Sequence, residues 1–348
     1  EPVYFVGGVA ANRAIAESLE EAISARNGHK VKVTVPENCF HIEAIGSALL
    51  AQEAGRQSKV VFLPKADVEQ CYYETAPLSA LTQETTFKQH RTDVPFSGYL
   101  GVDIGSTSTK AVILDESGKN VIAKNYLMTA GRPVEAIQNV FRNLLADVGN
   151  NARILGVGIT GSGRYLVGSY IGADLIRNEI TAQTRAAADV DPDADIIEIG
   201  GQDSKLVIKR NGVVVDYQMN KACAAGTGSF IDELAEQLGV NVKNGDFAKL
   251  AFQAPHTISL GSRCAAFMGQ AVASAQQEGV PVDVICASLA NSIAANYLSK
   301  VVGQRKLGDR IILTGAVFYN DAVVSAFKQS LPGKTIIVPE HKEVSGAM

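Results

Sequence analysis

Tyr99-Leu100-Gly101-Val102-Asp103-Ile104-Gly105-Ser106-Thr107-Ser108-Thr109-Lys110-Ala111-Val112-Ile113-Leu114 reads as a single β-hairpin. Apolar runs flank a Gly/Ser/Thr turn, the pattern of two strands and their connection. Asp103 ends the first strand, and Gly105-Ser106-Thr107 make the turn. Backbone N–H groups and hydroxyls in such a turn can hold phosphate oxygens. Asp103 suits Mg2+, an ion that keeps several waters and is content with one carboxylate. An ordinary β-turn with a capping Asp has the same sequence, so the stretch alone leaves both readings open.

A second stretch, Ile199-Gly200-Gly201-Gln202-Asp203-Ser204-Lys205, repeats the strand–glycine–acid pattern about a hundred residues on. Two such hairpins facing one another, with a late glycine turn at Thr314-Gly315-Ala316-Val317, resemble the superfamily of acetate and sugar kinases, actin and heat-shock chaperones. The resemblance implies a two-lobed α/β fold of the actin-like ATPase type. Phosphates would lie between the hairpins, with adenosine at Gly315 and Ala316. No Gly-x-x-x-x-Gly-Lys-Ser/Thr run is present, so a P-loop is excluded. Gln202 or Asp203 is placed to orient an attacking water. Lys110 and Lys205 either reach phosphate or are solvated or held in surface ion pairs.

The rest of the pattern agrees with α/β layers. Residues 120–128 continue the first sheet. Residues 132–148 read as a helix, with Val134, Ile137, Val140, Phe141, Leu144 and Leu145 at helical spacing. Residues 155–160 read as a buried strand, 182–188 as a small helix and 310–313 as a late strand. Past 209 the chain is otherwise mostly helical.

An internal repeat marks the organisation. Val6-Gly7-Gly8-Val9-Ala10-Ala11-Asn12 is echoed by Thr314-Gly315-Ala316-Val317-Phe318-Tyr319-Asn320. Each later reaches Val-Pro-Glu, at Val35-Pro36-Glu37 and Val338-Pro339-Glu340. Small-residue helix starts follow, Ile45-Gly46-Ser47-Ala48 against Ser345-Gly346-Ala347-Met348. Residues 1–56 are therefore expected to be the C-terminal remnant of a first domain copy. Residues 57–97 read as a linker, with one strand candidate at Val60-Val61-Phe62-Leu63. Residues 98–195 are the expected N-terminal lobe of a second copy, and 196–348 its C-terminal lobe. The chain reads as part of a longer polypeptide.

Composition narrows the function classes. Net charge is −4, with no basic bias towards nucleic acid or anionic membrane. Trp is absent and aromatics are 6%, which argues against a base-stacking surface. No apolar run approaches the ~20 residues of a membrane span. The five scattered cysteines make a disulfide framework improbable and point to a reducing cytoplasm.

Two of those cysteines stand apart. Cys223 lies in Met219-Asn220-Lys221-Ala222-Cys223-Ala224-Ala225-Gly226-Thr227-Gly228 and opens a helix running through Phe230, Leu234 and Leu238. Cys264 lies in Ser262-Arg263-Cys264-Ala265-Ala266-Phe267 and opens one through Phe267, Val272 and Ala275. A helix N-terminus suits an anionic thiolate-bound cluster, and a cubane takes four thiolates, so two chains could share one. Buried structural thiols are the alternative, and Cys39, Cys71 and Cys286 stay under it.

At this point the chain resembles the ATP-dependent activators of 2-hydroxyacyl-CoA dehydratases and the ATPase subunits of benzoyl-CoA reductase. The residues that carry the resemblance are both hairpins, Thr160-Gly161-Ser162-Gly163-Arg164, Asn178-Glu179-Ile180-Thr181, Cys223-Ala224-Ala225-Gly226-Thr227-Gly228, Cys264 and the repeat after Thr314. They run in family order over nearly all of residues 98–348. Cys-Ala-Ala-Gly-Thr-Gly is specific to the family.

The resemblance implies ATP and Mg2+ as ligands, with Gly226, Thr227 and Gly228 beside the nucleotide. It implies one [4Fe-4S] cluster held by Cys223 and Cys264 of two copies, in a homodimer or an intramolecular pseudo-dimer. It further implies a ferredoxin or flavodoxin type donor and a dehydratase or reductase acceptor. Four positions depart from the family pattern: Lys221-Ala222 where Asp-Lys is usual, Gln183 where His is common, and Ala316 where the adenosine turn usually has Gly. A small-molecule kinase and a non-catalytic nucleotide-binding module are the competing readings.

Overall fold

The computed structural model describes residues 2–55, 72–81, 94–220, 227–261 and 265–348. The chain divides into two compact units, Glu1–Gln70 and Cys71–Met348. Val60 to Leu63, the expected linker strand, lies outside the described residues, as do Cys71, Cys223, Gly226 and Cys264.

In the first unit β1 (Val3–Tyr4) and β2 (Val33–Thr34) pair in parallel across the crossover helix α1 (Arg13–Asn27). Asn12 starts α1: its Oδ1 accepts from the N–H groups of Ala14 and Ile15 at 3.1 and 3.4 Å, filling donors that have no intrahelical partner. Helix α2 (Ile42–Glu53) follows.

The second unit opens with β3 (Glu74–Thr75) and then builds two five-stranded sheets. The first is made by β4 (Phe96–Ile104), β5 (Ser108–Asp115), β6 (Val121–Met128), β7 (Ala152–Thr160) and β8 (Leu175–Ile176), in the order β6-β5-β4-β7-β8. Helix α3 (Pro133–Val148) joins β6 to β7, and α4 (Arg164–Ile171) joins β7 to β8. Ile137, Val140, Leu144 and Val148, at helical spacing, are buried against Val102, Ile104, Ala111 and Ile113 of the hairpin. Pro133 starts α3, where its missing N–H costs nothing.

Helix α5 (Glu179–Val190) leads to the second sheet. Its strands are β9 (Asp195–Ile199), β10 (Ser204–Arg210), β11 (Val213–Met219) and, after four helices, β13 and β14. Those helices are α6 (Gly228–Gln237), α7 (Asp246–Gln253), α8 (Ala265–Gln277) and α9 (Val282–Tyr297), with β12 (Thr257–Ile258) between α7 and α8. β13 (Arg310–Thr314), α10 (Asp321–Ser330) and β14 (Thr335–Ile337) complete the lobe.

The order β11-β10-β9-β13-β14 repeats that of the first sheet, down to antiparallel pairing on one side of the first strand and parallel pairing on the other. Phe230, Phe247, Tyr297, Phe318 and Phe327 form the core beneath it, and α9 is buried along most of its length. Tyr297 and Phe318 meet Phe327 edge-on, with centroids 5.6 and 5.4 Å away. Helix α5 covers the opposite face through Ala187 against Ile196, Val207 and Ile312.

The sequence repeat has matching local geometry. Gly7 (φ 91°) and Gly315 (φ 103°) each precede a 3-10 turn, and Asn320 caps α10 as Asn12 caps α1. The Gly7 N–H donates to the Cys39 carbonyl and the Gly315 N–H to the Lys342 carbonyl, both at 2.8 Å. Those equivalent carbonyls set Ser345 opposite Ile42, three residues before the Ile45 of the sequence pairing.

Part of the expected linker is docked. β3 pairs with β12, Thr75 opposite Thr257. Ser325 Oγ donates to the Ser79 carbonyl at 2.7 Å and Gln329 Nε2 to the Pro77 carbonyl at 3.0 Å. Leu78 enters the C-terminal lobe's core. β4 begins at Phe96, inside the expected linker boundary. Leu78→Ala should lower the unfolding free energy of the intact chain by about 2–4 kcal/mol. Urea denaturation checks this, and a free linker would leave the midpoint unmoved.

At its other end the chain leaves the C-terminal lobe after β14 and crosses to the first sheet. There Ala347 packs on Val112, Leu114 and Val121. Lys124 of β6 pairs with Glu343 at 2.7 Å, both side chains nearly buried. Among the described residues no helix is long and apolar enough to cross a membrane.

Candidate nucleotide site

The β4–β5 and β9–β10 turns are built alike. The Gly105 N–H closes on the Ser108 carbonyl at 2.9 Å, and the Gly200 N–H closes on the Asp203 carbonyl at 2.8 Å. Thr129 braces the first turn, its N–H on the Thr107 carbonyl and its hydroxyl on the Gly105 carbonyl, each at 2.8 Å. The two turns face one another. Ser106 Oγ donates to Gln202 Oε1 at 3.2 Å, and a Cβ built on Gly201 would fall 2.7 Å from the Thr107 methyl. Residues expected from sequence therefore line one cleft: Asp103, Gly105, Ser106, Thr107, Lys110, Gly200, Gly201, Gln202 and Asp203.

Four carboxylates line that cleft, Asp103, Glu179, Glu198 and Asp203, against two ammonium groups, Lys110 and Lys205. Neither lysine is loose. Lys110 Nζ lies 2.9 Å from Asp103 Oδ2. Lys205 Nζ lies 2.9 Å from both Glu179 Oε2 and Glu198 Oε2, with Lys205 and Glu198 under a tenth exposed. Burial works against the charge of Lys205, but the pull of Glu198 and Glu179 is greater and holds its pKa above the ordinary lysine value. Lys110 follows the same balance, burial opposed by Asp103 and then Glu198. Lys205 is thus in a buried ion pair, not solvated or paired at the surface.

The surplus of acid in the cleft opposes a bare triphosphate and suits one whose charge a divalent cation offsets. A nearly buried Asp103 carboxylate fits a hydrated Mg2+, held through its waters. Among the described residues no cluster of three or more His, Cys, Asp or Glu offers a direct coordination shell. Thr107 Oγ1, Thr160 Oγ1 and Gln183 Oε1, all on the cleft wall, are buried without a hydrogen-bond partner among the described residues.

Glu179, Gln183, Glu198 and Thr160 escaped the sequence reading as site residues. Glu198 had a usable signal, an acid inside the apolar strand Ile196-Ile197-Glu198-Ile199. Glu179 and Gln183 share one face of α5, four residues apart, behind the Asn178 cap that accepts from the Thr181 N–H at 2.8 Å.

The remaining expected residues fall around the cleft. Gly315 follows β13 beside Ile199, the last residue of β9, and Ala316 starts the 3-10 turn at negative φ. Thr227 is buried and Gly228 begins α6, five residues after Cys223 rather than at it. The Gly228 N–H donates to the Gly200 carbonyl and the Ser229 N–H to the Gly201 carbonyl, both at 2.8 Å. On the other side of the Cys223 segment, Asn220 Oδ1 accepts from the Ser204 N–H at 2.9 Å and its Nδ2 donates to the Gln202 carbonyl at 3.3 Å. Helix α8 begins at Ala265, next to Cys264. Cys39 and Cys286 are buried, and burial first, then Asp283, pushes the Cys286 thiol up to about 12.

Comparison with known proteins gives the following. A model of the BadF/BadG/BcrA/BcrD ATPase family matches residues 100–348. An uncharacterised protein of Methanocaldococcus jannaschii is 30% identical over 255 residues, covering 72% of this chain and 60% of that protein. The (R)-2-hydroxyglutaryl-CoA dehydratase activating ATPase of Acidaminococcus fermentans is 32% identical over 240 residues, covering 67% of this chain and 87% of that one. The activator of 2-hydroxyisocaproyl-CoA dehydratase from Clostridium difficile, solved with bound ADPNP, matches in structure with a TM-score of 0.65 and 29% identity, over 72% of this chain and 91% of that chain. The paired hairpins thus belong to a two-lobed fold of the actin-like ATPase type.

Proposed function

Because this chain belongs to the BadF/BadG/BcrA/BcrD ATPase family, we propose that it is an ATP-hydrolysing iron–sulfur activator that passes a low-potential electron to a dehydratase or reductase. The acceptor would be of the 2-hydroxyacyl-CoA dehydratase or benzoyl-CoA reductase type. The donor would be of the ferredoxin or flavodoxin type. Two copies of the ATPase module, in one chain or two, would share the cluster. Cys223 and Cys264, the ligands that the resemblance assigns, lie outside the described residues. A [4Fe-4S] cluster there would supply a one-electron carrier.

One observation carries the coupling. The segment bearing Cys223 is tied at both ends to the turn facing the phosphates, through Asn220 on one side and Gly228 with Ser229 on the other. A shift of the Gly200–Gly201 turn therefore pulls on both ends of that segment. Nucleotide works such a device only by its differential affinity for two arrangements of the turn. Within the cleft, turn N–H groups and the Ser106 and Thr107 hydroxyls bind phosphate oxygens. Asp103 orients hydrated Mg2+, and Gln202 or Asp203, on the wall of the same cleft, helps to orient the attacking water.

Iron and acid-labile sulfide, measured after anaerobic purification, test this reading. About two of each per chain are expected, since one cubane takes four thiolates and two chains would share it. Cys223→Ser and Cys264→Ser should each remove the iron and leave ATP binding unchanged. Iron retained in both variants, or none in the unaltered protein after reconstitution, overturns the cluster assignment.

A further inference from the structure

The geometry points to Gln183 as a catalytic residue, one that accepts a hydrogen bond from the water attacking the terminal phosphate. This rests on the hydrolytic reading above. Gln183 projects from the second turn of α5 into the cleft and is only 6% exposed. Its carboxamide oxygen has no partner among the described residues. A buried carbonyl without a donor is costly, so a ligand must supply the donor.

The choice of ligand follows from hydrogen-bond roles. Thr107 and Thr160, the other unpartnered groups on this wall, carry hydroxyls that donate to phosphate oxygens. A carboxamide oxygen cannot donate, and a triphosphate at neutral pH offers acceptors almost alone. Gln183 Oε1 therefore calls for a water. Its neighbours fix its direction: a Cβ built on Gly346 would lie 2.7 Å from Asp103 Oδ2 and 3.3 Å from Gln183 Nε2. The amide nitrogen is thus the end of the carboxamide that borders Gly346, and Oε1 is the end left for a ligand.

In the step, the water oxygen bonds to the terminal phosphorus. The bond from that phosphorus to the bridging oxygen breaks, and its electron pair stays on ADP. The water proton leaves with inorganic phosphate. Gln183 takes no proton; it aligns the lone pair of the water, as positioning of a nucleophile requires.

Binding of Mg·ADP with and without aluminium fluoride, which mimics the transferring phosphoryl group and holds the attacking water, tests this. The unaltered chain should bind Mg·ADP more tightly with aluminium fluoride. Gln183→Leu should lose that gain, keep its affinity for Mg·ADP, and lower kcat by about 10²-fold. Gln183→Glu, which keeps an acceptor, should retain more of both. A gain undiminished in Gln183→Leu overturns the assignment alone. Weakened Mg·ADP binding in both variants overturns it in favour of a water on the metal or a structural role. No gain in the unaltered chain overturns the hydrolytic reading and the assignment together.

Discussion

Gly315→Ala should abolish ATP binding and lower the stability of the second unit by roughly 3 kcal/mol or more, the sum of backbone strain and overpacking. Gly315 has φ 103° and ψ 154°, a region that only glycine enters readily. A methyl there would lie 2.1 Å from the Ile199 carbonyl oxygen and 2.7 Å from its carbon. Those atoms are backbone in the central strand of the sheet, so no side chain can swing aside. Either β13 or the end of β9 must move. Ile199 runs straight into Gly200 and Gly201, so displacement at one end of the nucleotide site spoils the phosphate turn at the other. Ala316, one residue on, already carries a Cβ at negative φ, and Ala316→Gly should leave affinity nearly unchanged. Calorimetric titration with Mg·ATP, beside urea denaturation, separates the two substitutions. Normal affinity in Gly315→Ala would detach the glycine turn from the site.

The contrast between Gly315 and Gln183 shows what the sequence could reveal. Glycine turns announce themselves, because a residue without Cβ between two apolar runs has few other reasons to be there. The hairpin at 99–114 and the glycine turn at 199–205 were legible for that reason, as was helix 132–148 from its spacing. The α6 start was less so: a cysteine before an apolar helix does not fix which residue opens the first turn, and Gly228 does. The docked segment 72–81 was invisible because its hold on the lobe uses the carbonyls of Pro77 and Ser79 and one leucine, which leave no period. Strands of two residues, such as β3, β8 and β12, are equally silent. The deep wall of the cleft was missed because its residues, Thr160, Gln183 and Glu198, come from three elements and meet only after folding.

That deep wall carries the second large effect. Lys205→Met should destabilise the chain by about 3–5 kcal/mol, because it strands Glu198 and Glu179 without their shared cation. Lys205 and Glu198 are 7% and 8% exposed and Glu179 25%, so water restores little of the lost solvation. The pH dependence has a definite sign. In the unaltered chain the folded pKa of Lys205 lies above its ordinary value of 10.5. Its contribution is complete below that value and fades only as pH rises through the folded pKa, so the neutral range is unaffected. In Lys205→Met the buried Glu198 and Glu179 lose their shared counter-ion and stand as unpaired charges, and urea midpoints near neutral pH should show the deficit. Adding Glu198→Gln to Lys205→Met should recover much of the loss near neutral pH, since it removes the stranded charge itself. A deficit unrelieved by the second substitution would mean that Lys205 stabilises the cleft through its aliphatic stem.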